Sequence, residues 1–315
     1  MNINDKSDVV ILKGNIRDDI SKMIIDRGYR VYEFYKGFDS FVLRQIRKIW
    51  FKFNLPLKSI WYSKDILRCD CDKILVFESL LTPEYLSWLK SKKQNASINV
   101  WYWNIVKNTI DPKAIADTGC RLWSFSREDC KKYNMSFNPP PYFKEVKYPE
   151  VDTRTDICFV GKEKGRLQGL LHWKSIFESQ GLCTEFYITP NNKLDKNPNY
   201  SHPMSYIESM LVSASSKAVF DYIEVINSGQ SMRIMECIFN NRKIITNSVL
   251  IKDYDFYDSN NIFIVGEDDI GSLYKFVNSP YKKISEEILL KYDFEHFVER
   301  FWCRDDSAWW RETYE

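Results

Sequence analysis

The sequence has no long apolar run, no imbalance of charge and no CxxC pair of cysteines. No stretch of about 18 uncharged apolar residues occurs, so no transmembrane helix is predicted. The amino terminus lacks an apolar segment of signal-peptide length, which favours a cytoplasmic protein. The 45 basic and 43 acidic residues nearly cancel, so the composition predicts no nucleic-acid partner. The eight cysteines include no CxxC pair and are typical of reduced thiols.

Two common nucleotide-binding motifs are also missing. The loop after the first predicted strand contains Gly14 but no GxGxxG pattern, which disfavours a nicotinamide-dependent oxidoreductase. Residues 161–166 (GKEKGR) follow a predicted strand but lack the GxxxxGK(S/T) spacing of a P-loop. A nucleotide site in this chain must therefore be built in another way.

Apolar runs of strand length alternate with segments of helical periodicity through most of the chain. The first half opens with a strand at 8–13, a helix at 18–27 and a strand at 30–35, and the second half repeats this alternation from residue 157. The pattern predicts an α/β fold of two Rossmann-like domains that face a cleft.

A proline run divides the two halves. Three consecutive prolines at 139–141 are stiff and cannot join a central strand, so we interpret them as the lead-in to a linker. The predicted domains are residues 1–148 and 149–300, followed by a tail at 301–315 that packs back on the first domain.

The most informative stretch runs from a predicted strand through a small-residue loop into a helix. Unpaired N–H groups at a helix start attract anions such as pyrophosphate. Arg233 lies in the first helical turn and can contact phosphate, while Glu236, one turn later, suits the hydroxyls of a sugar. The remaining candidate pyrophosphate contacts in the loop are Ser228, Gly229 and Ser231. The alternative is an ordinary crossover helix with a surface pair between Arg233 and Glu236.

A second loop, at residues 161–166, has the same chemistry. Backbone amides at Gly161, together with the charges of Lys162 and Arg166, suit the phosphates of a donor. Because both loops follow strands of the same predicted sheet, we expect them to face the same site. The alternative is a basic surface turn.

The run SGQSMRIMECIFNNRKIIT, residues 228–246, resembles the nucleotide-sugar loop of GT-B glycosyltransferases, in particular the bacterial lipopolysaccharide and capsule enzymes. The run DICFVGKEKGR, residues 156–166, is similar to the first strand and phosphate-side loop of the second domain in that fold. The resemblance implies transfer of a sugar from a nucleotide-diphosphate donor to a cell-surface glycan or lipid-linked glycan acceptor, in lipopolysaccharide core, O-antigen or capsule.

No metal and no cofactor other than the donor substrate is predicted. Asp70-Cys71-Asp72 spells DxD, the metal-binding signature of the other glycosyltransferase architecture. There the motif follows an apolar strand, whereas here it precedes one, so we interpret it as a solvated loop. The charge of the leaving group would then fall to the helix start, Arg233 and the lysines.

An inverting transferase needs a base close to the acceptor hydroxyl, and the first domain supplies it in enzymes of this shape. Asp39 and Glu78 are the candidates, because they lie in a loop and at a strand end. A retaining mechanism would need no such base, and the sequence leaves both mechanisms open.

The segment from Phe41 to Arg68 interleaves basic residues with bulky aromatic ones. This composition suits contact with an anionic membrane surface. A core helix with one basic face, or an RNA-binding patch, are the alternatives. For the whole protein, the alternative to an enzyme is a non-catalytic two-domain ligand-binding protein, which the missing signal peptide disfavours.

Overall fold

A computed structural model of the chain describes residues 6–38, 40–192, 194–223 and 229–302. The chain divides into two compact units. The first comprises the described residues up to Pro139 together with those from Val298 onward, and the second is Pro140–Phe297. The division falls inside the proline run, earlier in the chain than the predicted boundary after residue 148.

Within the described residues, the first unit contains one sheet of six parallel strands. Its order is β2-β1-β3-β4-β5-β6. All five residues of the first strand, VVILK, are buried, as expected for a parallel strand that is covered on both faces. The strands are β1 (Val9–Lys13), β2 (Arg30–Glu33), β3 (Lys73–Phe77), β4 (Ser97–Tyr102), β5 (Arg121–Ser124) and β6 (Ser136–Phe137).

Helices connect these strands. Asp18 caps the first helix by accepting from the Ser21 N–H at 2.7 Å, and Thr82 caps the third, which begins with proline. The α-helices are α1 (Asp19–Asp26), α2 (Phe41–Lys52), α3 (Pro83–Lys92) and α4 (Arg127–Tyr133). The 3-10 helices are Lys6–Asp8, Lys58–Trp61, Asp65–Arg68, Val106–Asn108 and Pro112–Thr118.

The second unit contains a sheet of five parallel strands in the order β11-β10-β9-β7-β8. Read from the β8 edge, each strand has the same place as its counterpart in the first sheet. The prediction of two Rossmann-like α/β domains is therefore confirmed. The strands are β7 (Thr155–Lys162), β8 (Thr184–Thr189), β9 (Ser216–Asp221), β10 (Lys243–Thr246) and β11 (Ile262–Ile264).

The α-helices of the second unit are α5 (Leu167–Ser179), α6 (Tyr206–Ala214), α7 (Met232–Phe239), α8 (Leu273–Asn278) and α9 (Glu286–Lys291), with 3-10 helices at Val249–Asp253 and Ile270–Ser272. Helices α5 and α8 pack on a core that includes Phe159, Phe177 and Phe220. The last helix, α10 (Phe294–Arg300), carries the chain back into the first unit. Its end packs there, with the Phe301 ring 4.9 Å from the Trp123 ring.

The two sheets share a reversal of strand order. In each of them the first strand lies between the second and the third, so successive connections run in opposite directions across the sheet. Ligands of such sheets bind outside the carboxyl ends of the strands at this reversal. The reversal lies between β1 and β3 in the first unit and between β7 and β9 in the second.

Two segments near the boundary between the units are shaped by pairing with distant parts of the chain. Helices α9 and α10 are separate, because the chain breaks at Tyr292 and Asp293, where Tyr142 pairs with Asp293 as a bridge. The segment around residue 137 forms β6 beside β5. Of the predicted tail at 301–315, only residues 301 and 302 are described.

Candidate functional site

Two arginines meet at the carboxyl end of β7. The guanidinium carbons of Arg166 and Arg233 lie 5.3 and 5.1 Å from the centre of the buried Phe159 ring. Both distances are within the range of cation–π attraction. The two loops that the sequence places in one site are therefore brought together, around a single aromatic side chain.

Arg233 bridges the two strands at the reversal of the second sheet. Its Nη1 donates to Asp221 Oδ1 at 2.6 Å, at the end of β9, and its Nη2 donates to the Val160 carbonyl on β7 at 2.6 Å. An arginine carries five N–H groups. These two contacts fix the plane of the guanidinium and leave donors for a ligand.

Asp221 is the site residue that the sequence prediction missed. Its side chain is only 1% exposed, and besides Arg233 it accepts from the Ser231 hydroxyl at 2.8 Å. A buried carboxylate needs such partners, because burial without them is costly. The available signal was an acidic residue at the carboxyl end of a buried strand, a few residues before the predicted phosphate loop.

Gly161 leaves room for this arrangement. A Cβ atom added there would lie 3.0 Å from Arg233 Nη2 and 3.4 Å from the Phe159 ring, so a side chain would press on the arginine. Lys162 is exposed, and its carbonyl accepts from Arg166 Nη2 at 3.1 Å. Arg166 also donates to the Tyr222 carbonyl, which ties the loop after β7 to the end of β9.

Among the described residues, the start of α7 is open, because no side chain caps it. Ser231 occupies the N-cap in an extended conformation, but its hydroxyl bonds to Asp221 rather than to the helix. Within the described residues, the N–H groups of Met232 and Arg233 have no acceptor. Gly229, two residues earlier, has a φ of +90°, which favours glycine. Ser228 lies outside the described residues.

Glu236 points to another part of the second unit. Its Oε1 accepts from the Tyr148 hydroxyl at 2.9 Å and its Oε2 from the Tyr206 hydroxyl at 3.3 Å. Burial raises the pKa of Glu236, although the two tyrosines and the charge of Arg233 oppose this rise. A carboxylate offers about four acceptor sites, so two remain for sugar hydroxyls, and the predicted role stays a prediction.

In the first unit, Glu78 directly follows β3 and is 2% exposed. Its Oε1 accepts from Asn104 Nδ2 at 3.2 Å, whereas Oε2 has no partner in the described part of the chain. Burial raises the pKa of Glu78 to about 7. A general base works best with a pKa near the operating pH. Asp39, the other candidate base, lies outside the described residues.

Lys13 lies at the corresponding reversal of the first sheet. Its ammonium donates to Asp18 Oδ1 at 2.9 Å, to Asp18 Oδ2 at 3.0 Å and to the Ser21 hydroxyl at 2.8 Å. It also lies 5.6 Å from the centre of the Phe77 ring and 5.7 Å from that of the Trp103 ring. All three donors of the ammonium are used, so Lys13 is part of a closed structural cluster.

The predicted membrane-facing segment contains α2, and α2 buries none of its residues fully. The helix is therefore not a core helix. Phe41 is 66% exposed and Leu57, in the following loop, is 72% exposed. The described residues include no helix long and apolar enough to cross a bilayer, and no group of three side chains suited to hold a metal ion.

No family model matches the chain, and no curated protein matches it. Among solved structures, it is similar to a sucrose-phosphate synthase from Thermosynechococcus elongatus, with 8% identity and a TM-score of 0.58 over 92% of this chain and 96% of that chain. It is also similar to HepE from Anabaena in complex with UDP, with 8% identity and a TM-score of 0.53 over 93% and 97%.

A third similar structure is an alpha-glucosyltransferase in complex with UDP and a 13-mer DNA, with 11% identity and a TM-score of 0.52 over 97% of this chain and 98% of that chain. At such identities the likeness establishes the fold alone. That fold is the pair of parallel-sheet, Rossmann-like domains of the GT-B glycosyltransferases.

Proposed function

We propose that this protein is a glycosyltransferase that moves a sugar from a nucleotide-diphosphate donor to a bacterial cell-surface glycan. The observation that carries the proposal is the pair of guanidinium groups on Phe159, at the strand reversal of the second sheet and beside the open start of α7. Cations and unpaired amides that converge on one point suit a pyrophosphate, the leaving group of such a reaction.

The leaving group gains negative charge as the bond to the sugar breaks. Fixed donors aimed at that charge stabilise the transition state, because they need no reorganisation at the moment of reaction. Asp221 and the Val160 carbonyl hold Arg233 in such a fixed orientation. We therefore propose a metal-independent mechanism in which Arg233, Arg166 and the amides of α7 compensate the charge.

The other predicted donor contacts belong to the same proposal. Glu236 would bind sugar hydroxyls, and Lys162 would add charge beside Gly161. The loop contacts would come from Ser228, Gly229 and Ser231. HepE and the alpha-glucosyltransferase are similar structures in complex with UDP, and this supports uridine diphosphate as the nucleotide.

The first unit would bind the acceptor and supply a base. Glu78 is a candidate because its pKa of about 7 allows it to take a proton at neutral pH. Because Glu78 is buried, the acceptor hydroxyl would have to reach the carboxyl end of β3. Asp39 remains the second candidate. If Glu78 is the base, Glu78→Gln will lose transfer but keep UDP binding.

The acceptor would be a lipopolysaccharide core, O-antigen or capsule glycan, carried by lipid at the inner face of the cytoplasmic membrane. The exposed apolar side chains of α2, together with its basic residues, support contact with an anionic bilayer. The protein would then be cytoplasmic and peripheral to the membrane.

The decisive test is the binding of UDP by isothermal titration calorimetry. The informative variant combines Arg233→Gln with Asp221→Asn, because the double change leaves no buried charge without its partner. We expect wild-type protein to bind UDP and the double variant to bind it at least tenfold more weakly. The matched control is Lys174→Gln, which removes a surface cation of α5 that pairs with Glu178.

A wild-type protein that binds neither UDP nor UDP-sugars would overturn the proposal, as would equal affinity in the double variant. Release of UDP from a panel of UDP-sugars, with a membrane glycan extract as acceptor, then separates an enzyme from a non-catalytic binding protein. Binding without any release of UDP would leave the donor site in place but exclude the transferase.

A further inference from the structure

We infer that the first unit contains a second oxyanion site and that the acceptor carries a phosphate or a similar group that binds there. The interpretation of the bound group as part of an acceptor rests on the proposed function. The site itself rests on a cavity of the first unit whose lining is strongly cationic.

This cavity has a volume of about 230 Å³ and lies where the loop after β1 meets the loop after β2. Among the described residues, four cationic side chains line it, together with one carboxylate, that of Glu33. A concave surface lined by charges of one sign concentrates ions of the other sign. The four cations, which we call the basic cluster, are Arg17, Lys36, Arg44 and Arg47.

The guanidinium of Arg47 is held in place by its neighbours, as expected for a group that binds a ligand. Its guanidinium carbon lies 5.5 Å from the centre of the Tyr35 ring and 5.9 Å from that of the Phe38 ring. Its Nη1 donates to the Lys36 carbonyl at 2.7 Å. Stacking and one hydrogen bond fix the guanidinium, yet most of its five N–H groups remain for a ligand.

Among the described residues, Arg17 and Arg44 have no carboxylate partner. In the described ranges, neither side chain forms a hydrogen bond or an ion pair, although both line the same cavity. Unpaired like charges in one cavity repel each other, and an oxyanion would relieve this repulsion. Arginine forks match the geometry of phosphate oxygens, so the cluster suits this class of ligand in particular.

The backbone at the cavity is fixed by close packing. A Cβ atom on Gly14 would lie 2.4 Å from the Ser79 carbonyl oxygen, so only glycine allows the loop after β1 to approach the loop after β3. The Ile16 N–H then donates to Glu33 Oε1 at 3.3 Å, and the Arg17 N–H to Asn15 Oδ1 at 3.0 Å. The one acidic residue of the lining is therefore engaged by the loop.

A larger cavity of about 490 Å³ adjoins the first and shares Glu33 and residues 35–38 with it. Its lining adds the Tyr32 ring, the Ser63 hydroxyl and three charged side chains, those of Lys64, Asp65 and Arg68. These side chains can donate to and accept from hydroxyl groups. We assign the sugar part of the acceptor to this second cavity.

The test uses the full-length protein with its donor site filled by saturating UDP. Inorganic pyrophosphate is then titrated calorimetrically at low and at high salt. The informative variant is Arg17→Gln with Arg44→Gln, since neither side chain supports the fold by a contact among the described residues. The control is Lys48→Gln with Lys52→Gln, which removes two cations of α2 outside the cavity.

We expect one pyrophosphate to bind the wild type, the arginine variant to bind it at least tenfold more weakly, and the lysine control to bind it within twofold of the wild type. The absence of pyrophosphate binding to the wild type would overturn the inference. An equal loss in both variants would also overturn it, because it would indicate general charge rather than a site.

A second arm identifies the source of the oxyanion. Vesicles of phosphatidylcholine, with and without phosphatidylglycerol, are added to the same titration. Competition that requires Arg17 and Arg44 assigns the group to a lipid headgroup, whereas an unchanged titration assigns it to a soluble or glycan-borne phosphate. Vesicle binding that depends on Lys48 and Lys52 alone, with no pyrophosphate binding, rejects the site.

Failure of this inference can be distinguished from failure of the proposed function. UDP binding is measured first in the same sample. If UDP binds and pyrophosphate does not bind in addition, only the acceptor inference fails. If UDP does not bind, the donor assignment fails, and the titration with pyrophosphate is repeated in the Arg233→Gln and Asp221→Asn background.

Discussion

Each unit of this protein has a cation and an acid at the strand reversal of its sheet, but the two pairs differ in what they leave free. In the first unit the Lys13 ammonium donates all three of its N–H groups, to Asp18 and Ser21. In the second unit Arg233 uses two of its five donors on Asp221 and Val160. The strand reversals of the two sheets thus hold a closed cluster and an open one.

This difference shows how a structural cation is told from a binding cation. Burial alone does not separate them, because both lie at the carboxyl edge of a parallel sheet and both pair with a carboxylate. The number of unused N–H donors does distinguish a binding cation from a structural one, because an arginine side chain has more N–H donors than a lysine side chain. In the first unit the unused donors lie instead on the basic cluster.

The largest effect is expected from Arg233→Ala. The variant removes the phosphate contact and also leaves Asp221, which is 1% exposed, without its cation. We expect UDP affinity to fall about 100-fold and the free energy of unfolding to fall by about 3 kcal/mol. Urea unfolding and calorimetry measure the two effects. A variant as stable as the wild type would show that Asp221 does not depend on Arg233.

Glu78 extends the comparison, because it is buried like Asp221 but pairs with no cation among the described residues. Its pKa is raised from 4.5 to about 7, so the folded state holds the proton more tightly than the unfolded state. Stability should therefore fall as pH rises from about 4.5 to 7, by about 3 kcal/mol in total. Glu78→Gln should remove this slope and be the more stable protein at pH 8.

Urea unfolding at pH 5, 6, 7 and 8 checks this expectation. The control is Glu84→Gln, since Glu84 pairs with Lys58 at 2.6 Å and its pKa is lowered by that contact despite the opposing effect of burial. The control should gain no stability at pH 8. An unchanged pH slope in Glu78→Gln would show that the carboxyl is ionised in the folded protein throughout this range.

Lys13→Met tests the closed cluster. The variant leaves Asp18 without its ammonium, but the Asp18 side chain is 39% exposed and water can solvate it. We expect a loss of about 2 kcal/mol in the free energy of unfolding, below the 3–5 kcal/mol typical of fully buried pairs. UDP affinity should stay within twofold of the wild type, and a tenfold loss would place Lys13 in a binding role.

The smallest effect is expected from Gly161→Ala. The added methyl group presses on Arg233 Nη2, and UDP affinity should fall two- to fivefold. The net change in stability should be near zero, because the smaller entropy of the unfolded chain offsets the strain by about 0.4–1 kcal/mol. Gly271→Ala is the control, since the nearest atom to its added Cβ is 3.5 Å away. Equal UDP affinities in the two variants would show that Gly161 is not part of the site.

The sequence predicted the features that depend on local pattern. Alternating apolar runs predicted both sheets, and glycine and arginine next to strand ends predicted the approach of Arg166 to Arg233. Each of these signals lies within about ten consecutive residues, the scale on which turn chemistry and periodicity act.

The features that the sequence did not predict depend on strand neighbours. Arg233 reaches both Asp221 and the Val160 carbonyl because β9 lies beside β7, although β8 lies between these two strands in sequence. The basic cluster combines Arg17 from the loop before α1, Lys36 from the loop after β2, and Arg44 and Arg47 from α2. The raised pKa of Glu78 depends on burial, which the residue type alone does not indicate.

The return of the chain at α10 has a consequence for synthesis. Phe301 covers the edge of the Trp123 ring, and Arg300 Nε donates to Asn138 Oδ1 at 2.7 Å, so the first unit borrows part of its core from the end of the described chain. The ribosome makes those residues only after the whole second unit. The first unit therefore cannot complete its core until these residues are made. A fragment ending at Pro139 would expose Trp123 to solvent.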